Sequence, residues 1–192
     1  MLNQIGTREI ETGRLLLRRF RADDADPMFR GWTSDGEVAR YLTWLPHSDI
    51  SVTRKLLAEW VEQYARKDCY RWCIVWKENA EPIGCIDVVR LTKELETAEI
   101  GYCMAKEYWG RGIMTEALSA VENYLFEGVG LNRIQACHHT RNPASGAVMR
   151  KCGMQFEGVR RQSAKTNAGE YCDIACYSIL RREWRARHPE VL

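Results

Sequence analysis

The chain lacks most of the features that would give its role away cheaply. No apolar run is long enough to span a bilayer, so a membrane partner is not expected. Residues 1–11 carry no apolar core of the signal-peptide kind, and a cytoplasmic location is the expectation. No repeat, low-complexity tract or Pro/Gly/Ser-rich linker divides the 192 residues, which points to a single domain over 10–185 with a short tail over 186–192. Charge of one sign is also missing: 28 basic against 26 acidic residues leave a net charge of +2. Such a balance offers no whole-molecule attraction to nucleic acid, and no direct nucleic-acid partner is expected.

Cysteine is not scarce. Eight are present, at positions 69, 73, 85, 103, 137, 152, 172 and 176, but no pair has the two-residue spacing of a zinc knuckle or a thioredoxin motif. Cys69/Cys73 and Cys172/Cys176 share a face if those segments are strands, yet a flat strand does not converge four ligands on a metal. The favoured reading is small, buried, reduced thiols with no metal.

Apolar residues make up 45% of the chain, enough for a core without staples. Seven segments read as strands: 14–20, 70–76, 82–91, 96–105, 132–139, 154–161 and 170–180. Helices are predicted from Asp23, over 34–42, and over 51–67, where Val52, Leu56, Trp60 and Tyr64 recur on one face. Another runs from Gly112 to about Glu127, with the apolar stripe Ile113, Ala117, Val121 and Tyr124/Leu125. A last one runs from the Asn142 cap to Gly153. The order implies an α+β fold, a mixed and mostly antiparallel seven-stranded sheet flanked by helices.

The helix beginning near Gly112 is unusual. A helix start exposes unpaired backbone N–H groups, normally met by a Ser, Thr, Asp or Asn cap. Trp109, Gly110, Arg111 and Gly112 supply no such oxygen. Two glycines, a basic residue and the helix dipole suit an anion, most simply a phosphate. A plain glycine turn with water at the cap fits the segment as well. Neither GxxxxGK[ST] nor GxGxxG is present, which disfavours nucleotide-hydrolase and dinucleotide readings.

Glu99-Ile100-Gly101-Tyr102 followed by Tyr108-Trp109-Gly110-Arg111-Gly112-Ile113-Met114-Thr115-Glu116-Ala117 resembles the acetyl-CoA signature of the GNAT superfamily of N-acetyltransferases. The Trp-Gly-x-Gly and Thr-Glu-Ala elements resemble its Rim-type group, which acetylates ribosomal-protein N-termini and related amines. The segment from Arg141 to Met154 is similar to that group's Asn-x-x-Ser … Lys-x-Gly-Phe block, and Thr12-Gly13-Arg14-Leu15 to its opening strand. The blocks cover most of the chain, from about residue 11 to residue 180.

The resemblance implies an acetyltransferase moving an acetyl group from acetyl-CoA to a primary amine by direct attack in a ternary complex. It implies cofactor contacts at Tyr102, Cys103, Met104, Trp109, Gly110, Arg111, Gly112, Ile113, Met114, Thr115, Asn142 and Ser145. Glu99 is the implied base, because an amine must lose its proton before it attacks a thioester. Many members carry a Tyr four residues before the glycine that ends the helix begun at Asn142, as proton donor to the leaving thiolate; here that position is Met149, and Ser145 is the implied replacement. A backbone N–H near Met104 is implied at the oxyanion. Acceptor contacts are expected from Trp32 and Trp44. The acceptor stays open between a protein N-terminus and a small amine such as an amino acid, polyamine or aminoglycoside, as does a non-catalytic acyl-CoA sensor. A homodimer is admitted.

The chain departs from the pattern at Met114 and over residues 164–166, and two further features are discounted. Met114 stands where Gly or Ala is usual and is expected to narrow the approach to the phosphates. Ala164, Lys165 and Thr166 occupy the region where the Rim-type group often has a carboxylate. His138 and His139, adjacent on a strand, point to opposite faces and make no metal pair. The basic run Arg181 to His188 reads as a solvated helix end.

Overall fold

The computed structural model describes residues 2–189, so residues 190–192 of the expected tail lie outside it. Its sheet contains the seven expected strands and one more. The extra strand is the two-residue β1 (Ile10–Glu11), which pairs with β2 (Leu15–Arg18). The others are β3 (Arg71–Trp76), β4 (Glu81–Thr92), β5 (Thr97–Met104), β6 (Arg133–His139), β7 (Gln155–Lys165) and β8 (Tyr171–Leu180). The spatial order is β1-β2-β3-β4-β5-β6-β8-β7. Among the described residues β5 and β6 form the one parallel pair. A parallel pair needs a crossover, and α4 (Ile113–Asn123), extended by a π-helical turn Tyr124–Val129, supplies it.

Short helices α1 (Ala25–Met28) and α2 (Gly36–Ala39) precede the longer α3 (Ile50–Gln63). The helix expected over 34–42 shrinks to a single turn because Asp35 caps it, accepting from the N–H groups of Glu37 and Val38. In α3 the buried face is centred on Thr53 and Leu57, while Val52 is 41% exposed. The predicted stripe is therefore rotated. A hydroxyl marks the true core position: Thr53 bonds both Thr33 and His47, contacts that apolar periodicity does not count.

After α4, helix α5 (Pro143–Lys151) packs beside it, with Ser119 and Cys152 in contact. Gly153 ends α5 with φ +88°. The run at the C-terminus is not merely solvated. Helix α6 (Arg181–Arg187) buries Trp184 against Phe126 and bonds its indole N–H to Asn123. Arg187 reaches the carbonyl of Cys152 at the end of α5, the place where a cation best meets unpaired carbonyls. No helix among the described residues is long and apolar enough to cross a membrane.

Candidate active site

The site begins with a gap in the sheet. Pairing between β5 and β6 ends at Ile100↔Ala136, yet the strands run on to Met104 and His139. Beyond Ile100 the edge of β5 that faced β6 has no strand partner among the described residues, which leaves room for an extended ligand to pair there.

At the end of β5 the chain turns through Lys106–Tyr108 into the glycine loop. The indole N–H of Trp109 donates to the Met104 carbonyl at 2.8 Å and pins the loop to the strand end. Gly110 and Gly112 have φ of +75° and +72°, left-handed values that a side chain would strain. Gly112 is the N-cap of α4 and offers no side-chain cap. A Cβ at Gly110 would meet nothing within 4 Å, so the loop faces open space. Bare N–H groups and the positive end of an eleven-residue helix therefore face that space, a fit for a pyrophosphate.

The side chains of the loop sort themselves around this. Ile113 and Met114 are buried. Met114 turns into the core and does not narrow the approach, contrary to the expectation from its size. Arg111 is exposed and lies 5.5 Å over the Tyr108 ring. Thr115 is half-buried and its carbonyl accepts from the Cys152 thiol. Arg14 donates to the Arg111 carbonyl at 3.0 Å and pairs with Glu116 at 2.7 Å.

Two groups of side chains flank the gap, one on each face of the sheet. On the α4/α5 face, the Tyr102 hydroxyl lies 3.0 Å from both the Ser145 hydroxyl and the Ser145 carbonyl. A phenol has one proton. Given to the carbonyl, it leaves the Tyr102 oxygen to accept from the Ser145 hydroxyl. Burial pushes the Tyr102 pKa upward, against the pull of its bond to Ser145, so the phenol stays protonated. Asn142 caps α5 through the Ser145 N–H at 3.4 Å. Met149 is buried. His138, set aside as half of a metal pair, also sits here: its buried Nε2 has no hydrogen-bond partner among the described residues and abuts Gly146, where a Cβ would lie 2.5 Å away.

On the other face the half-buried Glu99 accepts from the Gln135 amide at 3.1 Å. Cys103, also half-buried, sits with its sulfur 3.4 Å from that of Cys85 across the β4–β5 ladder. His139 is 95% buried beside the Tyr41 ring, with its exposed fraction only 5%. Its Nδ1 accepts from the Arg141 N–H, which puts the proton of the neutral ring on Nε2, an atom with no partner among the described residues. Burial, then the nearby positive charge of Arg141, lowers its pKa and favours that neutral ring. Sequence reading missed His139 as a site residue, although its place at the end of the strand lining the gap was a usable signal. Asn167, at the tip of the β7–β8 hairpin, bonds the carbonyls of Ala39 and Trp44 and closes the far side. Trp44 is half-buried there. Trp32 is not: it is 1% exposed, inside the core, and leaves no face for an acceptor. Its ring is part of the hydrophobic core.

A parallel pair splayed at its C-terminal end, with a capless helix start beside the opening, defines a fold class that grips a phosphate-bearing chain between strands. Residues 14–155 match the family model described as an acetyltransferase (GNAT) domain, and the chain belongs to that family: it is an acetyl-CoA-dependent N-acetyltransferase. It is 36% identical over 172 residues to an uncharacterized N-acetyltransferase of Bacillus subtilis, covering 90% of this chain and 96% of that protein. A ribosomal-protein-serine acetyltransferase of Escherichia coli is 31% identical over 107 residues, covering 56% of this chain and 59% of that protein. Among solved structures, a GNAT acetyltransferase from Bacillus anthracis superposes with a TM-score of 0.79 at 27% identity, over 91% of this chain and 99% of that one. A ribosomal L7/L12 α-N-protein acetyltransferase in complex with coenzyme A gives 0.81 at 22% identity over 90% and 98%, a likeness of fold.

Proposed function

We propose that the enzyme acetylates a primary amine by direct attack within a ternary complex, with a protein N-terminus the first acceptor to test. The observation that carries the donor side is the left-handed, capless Gly112 at the start of α4, next to the gap where β5 leaves β6. In this reading the pyrophosphate takes the N–H groups of Gly110 to Thr115. The pantetheine arm lies along Tyr102, Cys103 and Met104, and Asn142 and Ser145 border the thiol end.

Glu99 and Ser145 stand on opposite faces of the sheet, which suits opposite proton movements. Glu99 accepts the proton that the incoming ammonium must lose, directly or through one water, and Gln135 fixes the carboxylate while leaving its second oxygen available. As the carbon–sulfur bond breaks and the acetyl group stays on nitrogen, the Ser145 hydroxyl turns from Tyr102 to the departing sulfur, gives it a proton and is reprotonated from solvent. Tyr102, kept protonated by its burial, orients that hydroxyl. The acceptor enters on the face bearing Glu99, bordered by Trp44, Tyr41 and the Asn167 hairpin tip. A peptide acceptor is supported by the likeness to a ribosomal-protein-serine acetyltransferase.

The test is coenzyme A release from acetyl-CoA over a panel of Ser- and Ala-starting peptides, polyamines, amino acids and aminoglycosides. Turnover on peptides above all small amines is the expected result. Turnover confined to small amines removes the peptide assignment, and no turnover at all, with acetyl-CoA bound, removes the catalytic one.

A further inference from the structure

The acyl-transfer reading leaves one cluster of reactive side chains unused. Cys137 in β6 and Cys176 in β8 stand opposite one another in antiparallel register. Their sulfurs are 3.5 Å apart, with the Cys137 thiol donating to Cys176. Arg160 of β7 lies over both: its Nε is 3.1 Å from the Cys176 sulfur and its Nη2 3.3 Å from the Cys137 sulfur. Both cysteines are half-buried and Arg160 is exposed. Together with Gln135, Glu157 and Tyr177 they line an open recess of about 330 Å³.

This arrangement differs from that of the other sulfur pair. Cys85 and Cys103 are 3.4 Å apart and also in register, but Cys85 is buried and no guanidinium among the described residues hydrogen-bonds either sulfur. The thiolate is the nucleophilic form of cysteine, and an adjacent cation favours it. Cys176 receives two donors, the Arg160 Nε–H and the Cys137 S–H. Burial and the neighbouring Cys176 push the Cys137 pKa up, which suits the thiol that resolves.

We propose that Cys137, Cys176 and Arg160 form a redox-active dithiol in which a hydroperoxide oxidises Cys176 and Cys137 resolves the product into a cross-strand disulfide. The Cys176 thiolate attacks one oxygen of hydrogen peroxide. A sulfur–oxygen bond forms, the oxygen–oxygen bond breaks, and the departing hydroxide takes up a proton to become water. The sulfur is oxidised by two electrons to the sulfenic acid and the peroxide is reduced. The Cys137 sulfur then attacks the sulfenic sulfur. A sulfur–sulfur bond forms, the sulfur–oxygen bond breaks, and the hydroxide released combines with the Cys137 proton. The sum is two thiols and one peroxide giving one disulfide and two waters. Opposed residues of an antiparallel pair have Cα atoms roughly 4.5–5.5 Å apart, inside the range that a disulfide spans, so the strands need not separate.

The experiment uses the reduced full-length enzyme, treated with equimolar hydrogen peroxide, alkylated, digested without reductant and mapped by mass spectrometry. The expected product is a linked peptide pair joining Cys137 to Cys176 (with fragment ions excluding Cys172), formed before any loss of Cys85 or Cys103 and reversed by dithiothreitol. Cys137→Ser should trap a dimedone-reactive sulfenic acid on Cys176. Arg160→Gln should slow the initial oxidation of Cys176 by about tenfold, as expected when a cation leaves a thiolate. A first oxidation at any other cysteine in the wild-type chain overturns the proposal without recourse to a variant. So does an oxidation rate that Arg160→Gln leaves unchanged.

Discussion

Arg14 and Glu116, 102 residues apart in sequence, join the approach to β2 to the first turn of α4 through a 2.7 Å ion pair. The same carboxylate accepts from the Thr12 hydroxyl at 2.6 Å and from the Arg14 N–H at 3.0 Å. Arg14 in turn holds the Arg111 carbonyl, inside the glycine loop. The N-terminal block and the loop block are thus one mechanical unit. Glu116→Gln should weaken acetyl-CoA binding about tenfold, the size of one charge-assisted hydrogen bond, measured by calorimetry. Burial alone would raise the Glu116 pKa, but Thr12 and Arg14 together lower it. A folded value below the unfolded one stabilises above the usual carboxylate range and is lost as pH falls through the folded value. The acid limb of urea stability should therefore flatten in the variant, and an unchanged limb would contradict the assignment.

Gly112→Val places a β-branched residue at φ +72° and a side chain at the mouth of the loop. Affinity for acetyl-CoA should fall by about a hundredfold or more, since backbone donors to the phosphates are lost together. Circular dichroism separates this from unfolding. A folded variant with wild-type affinity would remove the phosphate site from this loop.

Glu99→Gln keeps the bond to Gln135 but cannot take a proton. We expect kcat/KM to drop by roughly a hundredfold near neutral pH, the usual scale of general-base help. The deficit should shrink toward pH 10, where more of the amine is already neutral. A deficit constant with pH would mean that Glu99 only positions the acceptor.

Ser145→Ala and Tyr102→Phe should lower kcat about tenfold to a hundredfold while leaving the KM for acetyl-CoA nearly unchanged, because the loss falls on the leaving thiolate. Their effects should be non-additive, as the two hydroxyls are 3.0 Å apart and act through one another. Additive losses would show two separate roles.

Glu122 carries a stability signal unrelated to the site. It is 2% exposed in α4, with one carboxylate oxygen unpartnered among the described residues. Burial raises its pKa to about 8, with Arg187 pulling the other way. A folded value above the unfolded one stabilises most below pH 4.5 and loses that contribution as pH rises toward 8. Relative to the wild type, Glu122→Gln should gain on the order of 2–4 kcal/mol between these limits, read from urea melts at pH 5 and 8. Parallel stability curves would falsify the assignment.

What could be read from the chain alone was local. The glycine loop, the missing cap, the amphipathic stripe of α4 and the Asn142–Ser145 cap each rest on residues close together in sequence, and backbone physics reports them directly. Seven strands were legible from runs of strand-forming residues and, over 96–105, from alternation. Two-residue β1 was not, because a strand that short has no period.

Tertiary structure decided whatever depends on a partner far along the chain. Met114 was expected to obstruct the loop and instead points inward, because the core beneath α4 accepts its volume. Trp32 was placed at the acceptor and lies in the core, since an aromatic residue serves either place and only packing chooses. Thr53 took a core position through its hydroxyl bonds to Thr33 and His47. Strand alternation predicted that His138 and His139 would face opposite ways, but not that each would present a buried, unpartnered nitrogen on its own side of the gap. The meeting of Cys137, Cys176 and Arg160 from three strands required the β6-β8-β7 order, which no spacing encodes. Sequence determined the elements and the donor's handhold because those rest on neighbouring backbone groups. The surroundings of Glu99 and Ser145, and the use made of Arg14 and Glu116, rest on register and packing between distant segments.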